Sequence, residues 1–156
     1  MRIIEDIEFL RESNYIEGER SVEALASAGL AWKYARHSGL DLNISYIKGI
    51  HYRLMEKLDP RIAGKIRETQ IEVIEGYLSC LEPEKIEEYL HMWVKENPES
   101  EEEIKKLHVL FNIIHPFEDG NGRVSRILMN VQRLNIDLPV LVIKESEKEK
   151  YYEWFK

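Results

Sequence analysis

The stretch "IHPFEDGNGRVSR", residues 114–126, gathers a histidine, an acid, a Gly-Asn-Gly and two arginines where folding alone has little use for them. Gly120 and Gly122 leave little to pack, and His115, Asp119, Arg123 and Arg126 are costly to bury without partners. Each residue type has a chemical use. The glycines let backbone approach a ligand and turn its N–H groups outward. N–H groups exposed at the start of a helix make an anion site, most often for phosphate. Arg123 and Arg126 fall on one side of such a helix, and their forked guanidinium groups match phosphate oxygens. Asp119 offers a hard carboxylate to a phosphate-bound Mg²⁺. His115, an imidazole with an ordinary pKa of about 6.5, suits a general base that takes a proton from a hydroxyl. Together these parts describe transfer of a phosphorus group from a nucleotide to a hydroxyl, with positioning and charge neutralisation supplying most of the catalysis.

Such a loop needs a frame, and the periodicity supplies helices. Residues 2–11 place Ile3, Ile7 and Leu10 on one face, and residues 19–37 carry Val22, Leu25, Ala26 and Leu30, with Gly39 as a stop signal. Asn43 or Ser45 caps a helix whose Ile47, Ile50, Leu54 and Leu58 form a stripe. Pro83 suits the first turn of another, reaching about Glu96 with Ile86, Leu90 and Trp93 inward. Ser100 and Glu103 have capping-box spacing ahead of Ile104, Leu107, Leu110, Phe111 and Ile114. A last long helix starts near Asn121 and runs to about Leu134. In "IRETQIEVIEGYLSCL", residues 66–81, Ile71 and Val73 alternate with acids and Glu75-Gly76 offers a turn, which predicts a short β-hairpin. The fold class is therefore mostly α with one small β element.

At 156 residues the chain is about one domain, and its 44% apolar and 33% charged residues place it among soluble globular proteins. A net charge of −7 argues against non-specific binding to nucleic acid or an anionic membrane. The acidic N-terminus does not read as a signal peptide, and no stretch approaches the roughly 18 apolar residues of a membrane span. One cysteine, Cys80, forms no internal disulfide, so a cytoplasmic location is expected and Cys80 reads as a packed small residue. The run "ENPESEEE" reads as a solvated loop feeding a helix N-terminus, and Trp32, Trp93 and Trp154 as packing.

The central run also resembles, position for position, the Fic family signature HxFx(D/E)GNGRxxR, through His115, Phe117, Asp119, Gly120, Asn121, Gly122, Arg123 and Arg126. "GKIRETQIEV" is similar to the family's flap, a strand pair over the active site, and "RILMNVQRLNIDLPVLVI" to the helix and turn after the signature. The resemblance covers roughly residues 40–156. It implies a single Fic-type domain over 1–156, with a helical core at 40–156, a β-hairpin flap and an N-terminal helical region at 1–38. It further implies ATP with Mg²⁺ and transfer of AMP to a Ser, Thr or Tyr hydroxyl of a target protein. This chain itself is a candidate target, and a second copy a candidate partner.

Carried over by position, His115 would deprotonate the hydroxyl that attacks the α-phosphate, and Asp119 would hold Mg²⁺. The backbone of Gly120 to Gly122, with the Asn121 side chain, would form the anion hole. Arg123 would bind the β-phosphate and Arg126 the γ-phosphate. Phe117 would anchor the loop in the core, and His108 is expected to be a hydrogen-bonded structural residue. Thr69, Gln70, Ile71, Glu72 and Val73 of the flap would dock an extended target segment by backbone pairing.

"SNYIEG", Ser13 to Gly18, is similar to (S/T)xxxE(G/N), with which Fic proteins restrain themselves. Glu17 would pair with Arg126, remove the partner meant for the γ-phosphate and leave the α-phosphate misaligned. Two alternatives stand beside a restrained adenylyltransferase. One is removal of AMP from a modified protein, with Glu17 orienting a water; the other is a nucleotide-binding regulator with little turnover. A kinase of the Doc type fits less well, because that branch carries Lys where this chain has Gly122.

Overall fold

The computed structural model describes residues 2–37, 41–71 and 80–156. Their helices are α1 (Arg2–Ile16), α2 (Val22–Arg36), α3 (Ile44–Met55), α4 (Ile86–Val94), α5 (Glu101–Ile114), α6 (Asn121–Asn135) and α7 (Lys148–Tyr152). Single 3₁₀ turns at Pro83–Lys85, Glu145–Glu147 and Glu153–Phe155 flank α4 and α7.

Capping chemistry sets the boundaries. The Ser21 hydroxyl accepts from the Ala24 N–H at 3.0 Å, Asn43 from Tyr46 at 2.9 Å and Ser100 from Glu103 at 3.2 Å. Asn43, not Ser45, is thus the cap of α3. The Glu103 carboxylate accepts from the Glu99 N–H, one residue before the place a capping box requires. α1 ends in a Schellman motif: Gly18, at φ 76°, donates to the Tyr15 carbonyl, and Glu19 donates to Asn14. That bend turns Glu17 off the end of α1.

The largest apolar cluster joins Phe9 and Leu10 of α1, Ala28, Ala31, Trp32 and Ala35 of α2, the Ile47–Ile50–Leu54 stripe of α3, and the inner faces of α4, α5 and α6. A second cluster ties Ile16, Ile104 and Met129 to Ile143, Tyr151 and Phe155 near the C-terminus. The inward faces of α1 and α2 differ from the expected ones. Ile3, Ile7, Val22 and Leu30 are exposed, and Ala24, Ser27, Ala28, Ala31 and Ala35 face inward. Small residues let α2 lie close against its neighbours, so the buried face is the narrow one, not the most apolar one. Leu110 is likewise exposed, while Trp32 and Trp93 are buried.

No strand occurs among the described residues. Of the expected hairpin, Glu72, Val73 and the Glu75-Gly76 turn lie outside them. Thr69, Gln70 and Ile71 are irregular; the Arg67 side chain donates to the Thr69 and Leu81 carbonyls, the Gln70 side-chain amide donates to the Cys80 carbonyl, and the Leu81 N–H donates to Ile113. Gly39, the expected stop after α2, also lies outside the described residues. No helix among them is long and apolar enough to cross a membrane.

Candidate active site

α5 delivers His115 and α6 begins at Asn121, so both walls of the site are helix ends. His115 takes the left-handed conformation, φ 50° and ψ 62°, and its N–H closes α5 onto the Phe111 carbonyl at 2.9 Å. A non-glycine residue persists there only where its surroundings over-determine it. They do. The Asn121 amide accepts from the Phe117 N–H at 2.9 Å and donates to the Phe117 carbonyl at 2.7 Å, clamping the loop. Phe117 is fully buried and stacks on the His51 ring, centroids 3.7 Å apart. Gly120 sits at φ 89°, a conformation that favours glycine, and a Cβ there would lie 3.3 Å from the Met55 sulfur, which would have to give way.

The Asn121 side chain is buried and bonds the Phe117 backbone through both its polar atoms, so it holds the loop. The Gly120 N–H is also engaged, donating to the Asp119 carboxylate at 2.8 Å. The N–H groups of the first turn of α6 have no helical carbonyl to reach, and Gly120 supplies no side-chain cap.

Arg123, in that first turn, is buried. Its Nε and Nη1 have no hydrogen-bond partner among the described residues, and its Nη2 lies 3.7 Å from both the Met55 sulfur and the Asp119 carboxylate. A buried guanidinium with unsatisfied donors at a helix N-terminus is a built place for an anion. Asp119, largely exposed beside it, is the carboxylate available to a divalent cation on that anion. No cluster of three or more metal-ligating residues occurs among the described residues.

Arg126 is buried, and each of its three nitrogens donates. It donates to the Ser13 hydroxyl at 2.8 Å, the Ser13 carbonyl at 3.1 Å, the Glu17 carboxylate at 2.7 Å and the Tyr151 hydroxyl at 3.3 Å. Ser13, in the last turn of α1, and Glu17, just past its end, both face this single guanidinium. Glu17 also lies against α6: a Cβ on Gly122 would come within 2.4 Å of its carboxylate oxygen. The carboxylate occupies the first turn of α6, where an anion is favoured.

Burial alone would push the Glu17 carboxyl up, but the Arg126 charge and hydrogen bond, with Arg123 and Lys148, hold it below the usual range. Burial lowers His115 from its ordinary value and outweighs the hydrogen bond to the Asn112 carbonyl, which raises it; Arg67 lowers it further, while Glu17 and Asp119 pull upward. His115 is therefore neutral at neutral pH. Its Nδ1 faces the Asn112 carbonyl at 3.3 Å, which assigns that nitrogen the proton and leaves Nε2 basic. His108 behaves as expected: burial lowers it to about 3, and it bonds Tyr151 and Ser125, each at 2.7 Å. Cys80 is a buried thiol that burial pushes up, the wrong direction for a nucleophile.

Three residues of the site carry no motif. His51 accepts from the Gly64 N–H at 2.9 Å through Nδ1 and so donates to the Asp119 carbonyl at 2.8 Å through Nε2. Its one sequence signal is a polar residue within the apolar stripe of α3. Tyr151 reaches Arg126 from α7, and Arg67 reaches the His115 carbonyl; neither has a local signal.

The profile of the Fic/DOC family matches residues 41–132. Among curated proteins, "Protein adenylyltransferase Fic" of Drosophila melanogaster is 30% identical over 136 residues, covering 81% of this chain and 27% of that protein. "Protein adenylyltransferase fic-1" of Caenorhabditis elegans is 30% identical over 152 residues, covering 92% and 28%. The chain thus spans about a quarter of the length of the curated relatives it matches. A solved structure of Fic-1 from C. elegans superposes with a TM-score of 0.79 at 21% identity, covering 98% of this chain and 54% of that one. A Fic domain containing signaling protein from Bacteroides thetaiotaomicron superposes with a TM-score of 0.80 at 23% identity, covering 95% and 69%.

Proposed function

The chain belongs to the Fic/DOC family, and we propose that it transfers AMP from ATP to a hydroxyl side chain of a protein, with Glu17 restraining the reaction. One observation carries this reading: the unsatisfied, buried Arg123 at the start of α6 lies one turn before a guanidinium, Arg126, that the Glu17 carboxylate just past α1 already occupies. One arginine waits for an anion, and the other is held by a carboxylate standing in for one. The relatives named protein adenylyltransferases support the choice of reaction.

In this reading His115 Nε2 takes the proton of the target hydroxyl as its oxygen attacks the α-phosphorus, and pyrophosphate leaves. The first turn of α6 and Arg123 hold the β-phosphate, and Arg126 holds the γ-phosphate once Glu17 has moved. Mg²⁺ at Asp119 would neutralise charge on the phosphates. The hydroxyl would belong to a target chain, whether a separate protein or a second copy of this one. The reduced, buried Cys80 suits a cytoplasmic setting.

A second reading, removal of AMP from a modified protein, draws on the same carboxylate. Glu17 keeps 34% of its side chain exposed and stays ionised, so it can orient a water as well as block a phosphate. Intact-mass analysis after incubating the Glu17→Gly variant with ATP and Mg²⁺ tests the proposal. Addition of AMP to protein supports it, and addition of a bare phosphate moves the assignment to the kinase branch.

A further inference from the structure

Arg67 is 2% exposed, and no carboxylate pairs with it among the described residues. Its guanidinium donates instead to four carbonyls: Nε to His115, Nη1 to Thr69 at 2.8 Å, and Nη2 to Leu81 at 2.6 Å and Ile114 at 3.3 Å. These belong to three separate pieces of chain. Ile114 and His115 end α5, Thr69 leads into segment 72–79, and Leu81 leads out of it. Backbone bonds run beside the clamp, with the Arg67 N–H on the Pro116 carbonyl and the Leu81 N–H on Ile113, both at 2.9 Å. The Gln70 amide joins the two stems directly, reaching the Cys80 carbonyl at 3.3 Å.

We propose that Arg67 is a positioning residue for the transfer reaction: one buried guanidinium fixes the His115 backbone to Thr69 and to Leu81, and so sets where the base lies relative to the hydroxyl it deprotonates. The inference rests on the AMP-transfer reading. Its chemistry is particular to arginine, whose planar fan of five N–H donors reaches three directions at once, whereas a lysine ammonium is a point charge. A cation is also favoured at the carbonyl end of α5. His115 holds its left-handed backbone at this point, so the clamp bears directly on where its ring lies. An error of about one ångström there costs on the order of a hundredfold in rate.

Arg67→Met and Arg67→Lys, each made in the Glu17→Gly background, test this in two arms. The first needs no activity: amide exchange at Leu81 and His115 is expected to quicken at least about tenfold in Arg67→Met, with α6 amides unchanged. In the second, affinity for a non-hydrolysable ATP analogue stays within about twofold of the parent, while auto-modification from α-labelled ATP falls at least about tenfold. Arg67→Lys keeps the charge and the parent melting temperature, and transfer still falls by at least about fivefold. Unchanged exchange, full transfer in Arg67→Lys, or parallel loss of nucleotide affinity and transfer overturns the inference. If the Glu17→Gly parent shows no label, the AMP-transfer reading fails, and the exchange arm still decides the clamp.

Discussion

Glu17 and Arg126 stand 109 residues apart in the chain and share a 2.7 Å ion pair in which the arginine is buried and the glutamate is partly open to solvent. The pair exists because three local rules agree. The Schellman bend at Gly18 turns Glu17 toward α6, Gly122 leaves room for its carboxylate, and Ser13 in the last turn of α1 orients the guanidinium. A side chain as small as a methyl group at 122 would meet the carboxylate.

Acid should destabilise the fold through two histidines outside the reaction. Burial lowers His51 to about 4 and His108 to about 3, against about 6.5 in an unfolded chain. Between those values the unfolded state binds the extra protons, so stability falls as pH drops below about 6.5 and levels off below the folded values. Each histidine steepens the loss by up to about 1.4 kcal/mol per pH unit. Urea unfolding from pH 7 to pH 4 measures the slope, and a flat profile contradicts the assignment.

Much of this site was legible before any coordinates. The motif from His115 to Arg126 is contiguous, and its helix boundaries follow from Pro116, Gly120 and the Ser100 cap. The loop clamp made by Asn121 was not legible, because its type suits a phosphate as well as a loop and the Phe117 backbone beside it carries no sequence signal. Arg67 and His51 stayed hidden for a different reason. Most of their partners are backbone carbonyls, which every residue carries, so no residue type advertises the contact. The face of α2 was misread because tight packing selects alanine and serine, while apolar periodicity points to Val22 and Leu30.

Replacing Asn121 by alanine should cost about 1–3 kcal/mol, since it leaves the Phe117 N–H and carbonyl without their partners in a buried loop. A lowered denaturation midpoint, with the α-helical circular dichroism unchanged, is the expected result. An unchanged midpoint would show that the loop holds without the clamp.

His115→Ala should abolish AMP transfer and leave binding of ATP within about twofold, because the imidazole acts on the hydroxyl. Since the folded His115 lies below its ordinary value, activity of the Glu17→Gly variant should persist into mild acid and fall only below about pH 6.5. Removing Glu17 lowers His115 further, in the same direction. A kcat profile whose acidic limb lies above that pH contradicts the role of the base.

The restraint itself rests on competition between Glu17 and a γ-phosphate for Arg126. A charge-assisted bond of this kind is worth roughly 1.5–3 kcal/mol, so its loss should raise the rate at least about tenfold. Auto-modification from α-labelled ATP, followed in the wild type, Glu17→Gly, Arg126→Ala and the double variant, measures this most directly. The account predicts that Glu17→Gly is at least about ten times faster than wild type and that Arg126→Ala cancels the gain. A Glu17→Gly rate at or below the wild-type rate would contradict it.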